Sequence, residues 1–182
     1  FRTQLENGIM GLSDSPLTII SRLHAAKKIP QHLFSMCFTN SGGTLALGGF
    51  EEYRNKAPMV WVPMKQKSGW ITVQLNDVRI GGESIGNYAS KYNSNHGTIV
   101  DSGTTDTYLP QAVGRKFMEV FQRQSGLPWS NNKFSISVQA MKNLPTVSFE
   151  LDNDLILEMA PFSYLECDLS LIHISEPTRH ES

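Results

Sequence analysis

Cysteine is almost absent from this sequence of 182 residues, which holds only Cys37 and Cys167. Two thiols so far apart in the chain exclude a disulfide-built mini-scaffold and fit neither a zinc-ligand spacing nor a redox pair. Excess charge of either sign is missing too. Sixteen Lys and Arg against seventeen Asp and Glu leave a formal charge of -1. That balance removes the electrostatic basis for a nucleic-acid or anionic-membrane partner. No apolar run approaches the roughly 18 residues that cross a bilayer. The five histidines supply no nearby ligand set, so neither a metal nor a cofactor is expected. Gly11-Leu12-Ser13-Asp14-Ser15 lacks the final glycine of a serine-hydrolase elbow, which makes Ser13 part of a helix start rather than a nucleophile.

What is present is enough to bury the core of one domain, or of one lobe of a larger protein: 40% of the residues are hydrophobic and 9% aromatic. Gly, Pro and Asn punctuate short segments with the alternation of half-buried strands, as at Trp70–Leu75, Phe134–Val138 and Thr146–Leu151. Two helices are predicted. One starts at Ser15-Pro16, runs through Leu17, Ile20, Leu23 and Ala26, and stops before Pro30. The other follows Pro110, places Val113, Phe117, Val120 and Phe121 on one face, and ends at Gly126-Leu127-Pro128. Trp61 and Trp70 read as core or lobe packing, and Lys65-Gln66-Lys67 as a solvated loop.

One segment carries chemistry. In His96-Gly97-Thr98-Ile99-Val100-Asp101-Ser102-Gly103-Thr104-Thr105 an extended apolar stretch delivers a carboxylate into a glycine turn. Thr98, Ile99 and Val100 favour an extended backbone, and Gly103 permits a sharp turn and close approach. The hydroxyls of Ser102, Thr104 and Thr105 can hydrogen-bond the carboxylate or its surroundings. Asp101 is therefore the candidate catalytic group, although Asp, Ser, Gly and Thr are also the common residues of an ordinary solvated turn.

Asp101-Ser102-Gly103-Thr104-Thr105 resembles the active-site signature of pepsin-like aspartic proteases, peptidase family A1, and other segments agree in the family's order. Asn7–Leu12 resembles the segment that closes the first lobe, and Leu33–Phe38 the first strand of the second. Gly43–Gly49, Trp61–Pro63, Gly69–Val73, Leu144–Phe149 and Ala160–Leu165 continue the match. The resemblance implies a mainly β, bilobal fold of which this chain carries residues 1–15 as the end of the first lobe and 16–168 as most of the second. It further implies that the first lobe's aspartate and flap tyrosine lie before Phe1. Ile9-Met10-Gly11 resembles the segment threading beside that first aspartate, and the threading segment for Asp101 is expected after Asp168.

By the same resemblance the parent is an aspartic endopeptidase, monomeric, acting on peptide or protein substrates in the secretory pathway, outside the cell or in a vacuole or lysosome, with no nucleotide. Ser102 takes the place of a residue that bonds across to the opposite lobe. Gly103 supplies an amide and Thr104 a hydroxyl to the carboxylate, and Thr105 contacts bound peptide. Cys37 falls on a strand where several pepsin-like families carry a disulfide, which implies a bridge to Cys167 worth roughly 2 to 4 kcal/mol. Hydrolysis by this route needs one ionised and one protonated carboxyl, so a chain holding Asp101 alone is expected to be inactive. Two other readings remain at this stage: a pepsin-like module that has become an inert binding or inhibitor protein, and an actin-like or sugar-kinase-like ATPase whose phosphate loop has a similar Asp-x-Gly-Thr-Thr. Residues 169–182 stand apart: Leu169–Arg179 resembles the translation of a sequencing adapter, and the family resemblance stops before it.

Overall fold

The computed structural model describes residues 8–39, 41–65, 69–130, 134–167 and 172–174. The chain divides into two compact units, one comprising Phe1–Val60 and Lys67–Ile71, the other Trp61–Gln66 and Thr72–Ser182. The architecture is mainly strands with a few short helices and one longer one.

The first unit contains helix α1 (Ile19–Ala25) and an antiparallel hairpin of β1 (Phe34–Thr39) and β2 (Gly42–Leu47). The helix starts later than the serine and proline signals predict. Thr18 is its N-cap, accepting a hydrogen bond from the Ser21 amide, whereas Ser15 Oγ accepts from the Leu17 amide in a preceding turn. Two capping residues competed here, and the one nearer the buried Ile20 prevailed. Ile9 and Met10 are exposed and lie in no strand.

In the second unit, strands β3 (Thr72–Val73), β4 (Leu75–Ile80) and β5 (Glu83–Ser84) precede the short helix α2 (Ala89–Tyr92) and strand β6 (Thr98–Ile99). Helix α3 (Gln111–Ser125) and the short α4 (Val138–Lys142) follow. Strands β7 (Val147–Leu151) and β8 (Ile156–Met159), helix α5 (Pro161–Tyr164), then β9 (Leu165–Cys167) and β10 (Ile172–Ile174) complete it. Strands β5, β4, β7 and β8 lie in that order in one antiparallel sheet, while β3 pairs with β6 and β9 with β10.

The core lies between this sheet and α3. Val113, Phe117, Val120 and Phe121, spaced for one face of a helix, are all buried and share a cluster with Val78 and Ile80 of β4 and Val147 and Leu151 of β7. Alternation on β4 turns Asp77 and Arg79 away from that face, and Arg79 pairs with Asp77 at 3.1 Å and Glu150 at 3.3 Å. Such partly exposed pairs contribute about 1 kcal/mol or less. Gly126 ends α3 with φ of 72°, a left-handed conformation that glycine adopts without a Cβ clash.

Two sequence expectations are corrected. The strand expected across Phe134–Val138 gives way to α4, because Ser137 Oγ caps the Ala140 amide at 3.1 Å and Met141 turns into the core. Trp61 and Trp70 are 59% and 45% exposed, so neither belongs to the core of its unit. Lys65 is exposed in its loop, as expected, and forms an ion pair with Asp152 at 2.5 Å; Gln66 and Lys67 lie outside the described residues.

Candidate active site

Asp101 sits two residues beyond β6, exposed, in the loop that leads to Pro110 and α3. Strand β6 is positioned by its antiparallel pairing with β3, Thr72 opposite Ile99 and Val73 opposite Thr98. Thr72 is fully buried, and a Cβ on Gly97 would lie 3.7 Å from it. Gly97 has φ of 77° and donates its amide to Ser94 O, which turns the chain into β6. Thr98 Oγ1 donates to Tyr92 O at 3.2 Å and ties the strand to the end of α2.

Both oxygens of the Asp101 carboxylate are held within its own turn. Oδ1 accepts the Gly103 amide at 2.9 Å, Oδ2 accepts the Thr104 hydroxyl at 2.6 Å, and the Asp101 carbonyl accepts the Thr104 amide at 3.4 Å. These bonds favour the charged form. The Thr104 hydroxyl first, then the Gly103 amide, holds the Asp101 carboxyl below the usual carboxylate range. Ser102 and Thr105 are exposed on the same turn. The arrangement presents an ionised, oriented carboxylate to solvent, able to accept a proton from water.

Replacing Thr104 by valine keeps the side-chain shape and removes the stronger of the two bonds. The Asp101 pKa in the Thr104→Val variant is expected to rise toward the ordinary carboxylate value, as read by a carboxyl NMR titration; an unchanged titration would show that Thr104 does not set the charge state. The sign carries to stability. A depressed pKa stabilises the fold above the unfolded carboxylate value of about 3.9, and that contribution disappears as pH falls through the lower folded value.

Asn93, which no sequence motif singles out, also bears on this arrangement. Its Oδ1 accepts the Leu75 amide at 3.0 Å, and its Nδ2 donates to Leu75 O and Ala89 O, both at 2.7 Å. Of the two cysteines, Cys37 is an exposed free thiol on β1; the Cys167 side chain lies outside the described residues. Among the described residues, no group of three or more His, Cys, Asp or Glu could hold a metal ion, and no helix is long and apolar enough to cross a membrane.

Strand, glycine turn and internally bonded aspartate together are the features of an aspartyl protease lobe. The profile of the family described as eukaryotic aspartyl protease matches residues 2–167, and the chain belongs to that family. Among its relatives are aspartic proteinase 39 and aspartic proteinase 36 of Arabidopsis thaliana, 29% and 32% identical, each matched over 87% of this chain and 34% of its own length. Cathepsin E of Aquarana catesbeiana is 25% identical over 87% of this chain and 40% of its own length. The chain thus spans about a third of the length of the curated relatives it matches.

Proposed function

We propose that the protein to which this chain belongs is an aspartic-type endopeptidase that cleaves peptides or proteins with water activated between two carboxylates, one of them Asp101. The observation that carries the reading is the Asp101 turn, where the Gly103 amide and Thr104 hydroxyl hold both oxygens of an exposed carboxylate. The ionised acid of the pair takes a proton from water, and the protonated acid donates to the scissile carbonyl. Two like charges brought together titrate as a unit, so neither role belongs to Asp101 alone. Ser102 bonds across to the opposite lobe and Thr105 contacts bound peptide. Residues 1–15 close the first lobe, 16–168 form most of the second, and 169–182 are an addition to the family sequence, although Ile172–Ile174 pair with β9 here; the family match ending at residue 167 supports that last division. With Asp101 as its only contribution to the catalytic pair, the chain on its own is inactive.

The test is cleavage of a peptide at acidic pH by the full-length protein, with and without pepstatin. Pepstatin-sensitive cleavage supports the protease. No cleavage by a folded, processed protein would favour an inert binding or inhibitor module, and binding of ATP would favour the phosphate-loop reading. Compartment and redox state follow from the same proposal: a monomeric protein of the secretory pathway, secreted or vacuolar or lysosomal, in which oxidation joins the Cys37 thiol, free in this structure, to Cys167. Mass spectrometry of a non-reduced digest is expected to show the linked peptide pair, and alkylation of both thiols without reduction would refute the bridge.

A further inference from the structure

We infer that Asn93 is the positioning residue that sets the register of β6 and so the place where Asp101 emerges; this rests on the protease reading only for its effect on catalysis. The antiparallel register pairs Thr72 with Ile99 and Val73 with Thr98. Each pair sums to 171, so continuing the ladder would set Leu75 opposite His96. His96 does not take that place. It is exposed in the loop that Gly97 turns, and the carboxamide of Asn93 pairs with Leu75 instead.

The pairing is two-way, as between strands: the Leu75 amide meets Oδ1 while the Leu75 carbonyl meets Nδ2. The orientation of the amide is fixed by chemistry. An N–H can meet only the oxygen, and the carbonyls of Leu75 and Ala89 can meet only the nitrogen. Both Nδ2 protons are used, one on β4 and one on the start of α2. One side chain therefore ties β4, the end of α2 and the loop into β6 together. The backbone between Asn93 and Thr98 is closed from within as well, by Gly97 to Ser94 and by Thr98 Oγ1 to Tyr92 O. With Asn93 anchored, that closed loop leaves β6 a single register against β3. A strand of two residues has few ladder bonds to resist slippage, and a slip of one residue would turn its side chains to the opposite face. Asp101 lies two residues beyond that strand, so its placement depends on the register.

Two substitutions test this in the full-length protein. Asn93→Ala removes all three bonds, and Asn93→Asp keeps the shape but can donate only while its carboxyl is protonated. The first readout needs no activity: amide hydrogen exchange followed by mass spectrometry. Exchange across 97–103 is expected to accelerate about tenfold or more in Asn93→Ala, with helix α3 unchanged. Equal protection of 97–103 in variant and wild type would overturn the inference, and so would loss of protection throughout α3, which marks general unfolding.

The second readout is the pH dependence of cleavage. The ionisable side chains on the elements that meet Asn93 are Lys91 and Tyr92 on α2, His96 in the loop, and Asp77 and Arg79 on β4, and they are common to every variant. Asn93→Asp should recover part of the wild-type kcat at the most acidic pH, where its single O–H bonds one of the two carbonyls, and fall away as the introduced carboxyl ionises against both. Asn93→Ala should be lowered by a constant factor. Parallel pH profiles for the two variants would overturn the positioning role. A wild-type protein that cleaves nothing would instead defeat the protease reading and leave the exchange result to decide the inference.

Discussion

Asp101→Asn in the full-length protein is expected to lower kcat roughly a thousandfold or more, with kcat/KM falling in step and KM little changed. The substitution is isosteric, so the side chain still fits the turn. The amide oxygen can keep the Gly103 amide, and its nitrogen can donate to the Thr104 hydroxyl, which is an acceptor as well as a donor, so that bond is reversed and loses its charge assistance. That is a small structural loss at an exposed site. The chemical loss is larger, because an amide can neither take a proton from water nor share one with a second acid. Steady-state kinetics at acidic pH, with thermal unfolding as a control, separate the two effects. Cleavage at the wild-type rate by the variant would remove Asp101 from the mechanism.

Phe121→Ala is expected to destabilise the protein by about 3 to 5 kcal/mol. Phe121 has no solvent exposure, and its ring lies 4.7 Å from Trp129, 5.8 Å from Tyr164 and 6.3 Å from Phe117. Two of these contacts, to Trp129 and Tyr164, are edge-to-face, an arrangement that adds to the gain from burial. Alanine is the best helix former, so α3 gains propensity by the change and the cost comes from the lost burial, the lost ring contacts and the cavity. Met118→Ala on the same helix offers the contrast. Met118 is 39% exposed and should cost under about 1 kcal/mol in the same urea titration. A similar midpoint shift for both variants would mean that the ring cluster does not stabilise the core.

Helix α3 was legible residue by residue because its signals are local and agree. Pro110 sits at its start, an apolar stripe of period 3.6 follows, and Gly126 stops it. Strand β7 was legible for the same reason, with Val147 and Leu151 inward and Glu150 beside Arg79. Where local signals conflicted, the sequence misled. Ser15 and Thr18 both offer a cap, and only the burial of Ile20 chose between them. The alternation at Phe134–Val138 suits a strand, but the Ser137 cap and the burial of Met141 made a helix of its end.

The sequence by itself determined the family and the chemistry of the turn, because an aspartate bonded by residues two and three positions later needs nothing beyond its own backbone. It determined α3 likewise, through the period of its apolar residues. Only the tertiary structure decided where that turn is held. The carboxamide of Asn93 meets Leu75, 18 residues away in sequence, and an asparagine in a polar loop looks the same whether it faces water or substitutes for a strand. Hydrogen-bonding groups carry no record of their partner in the residue type; the fold supplies the partner by bringing distant backbone within about 3 Å.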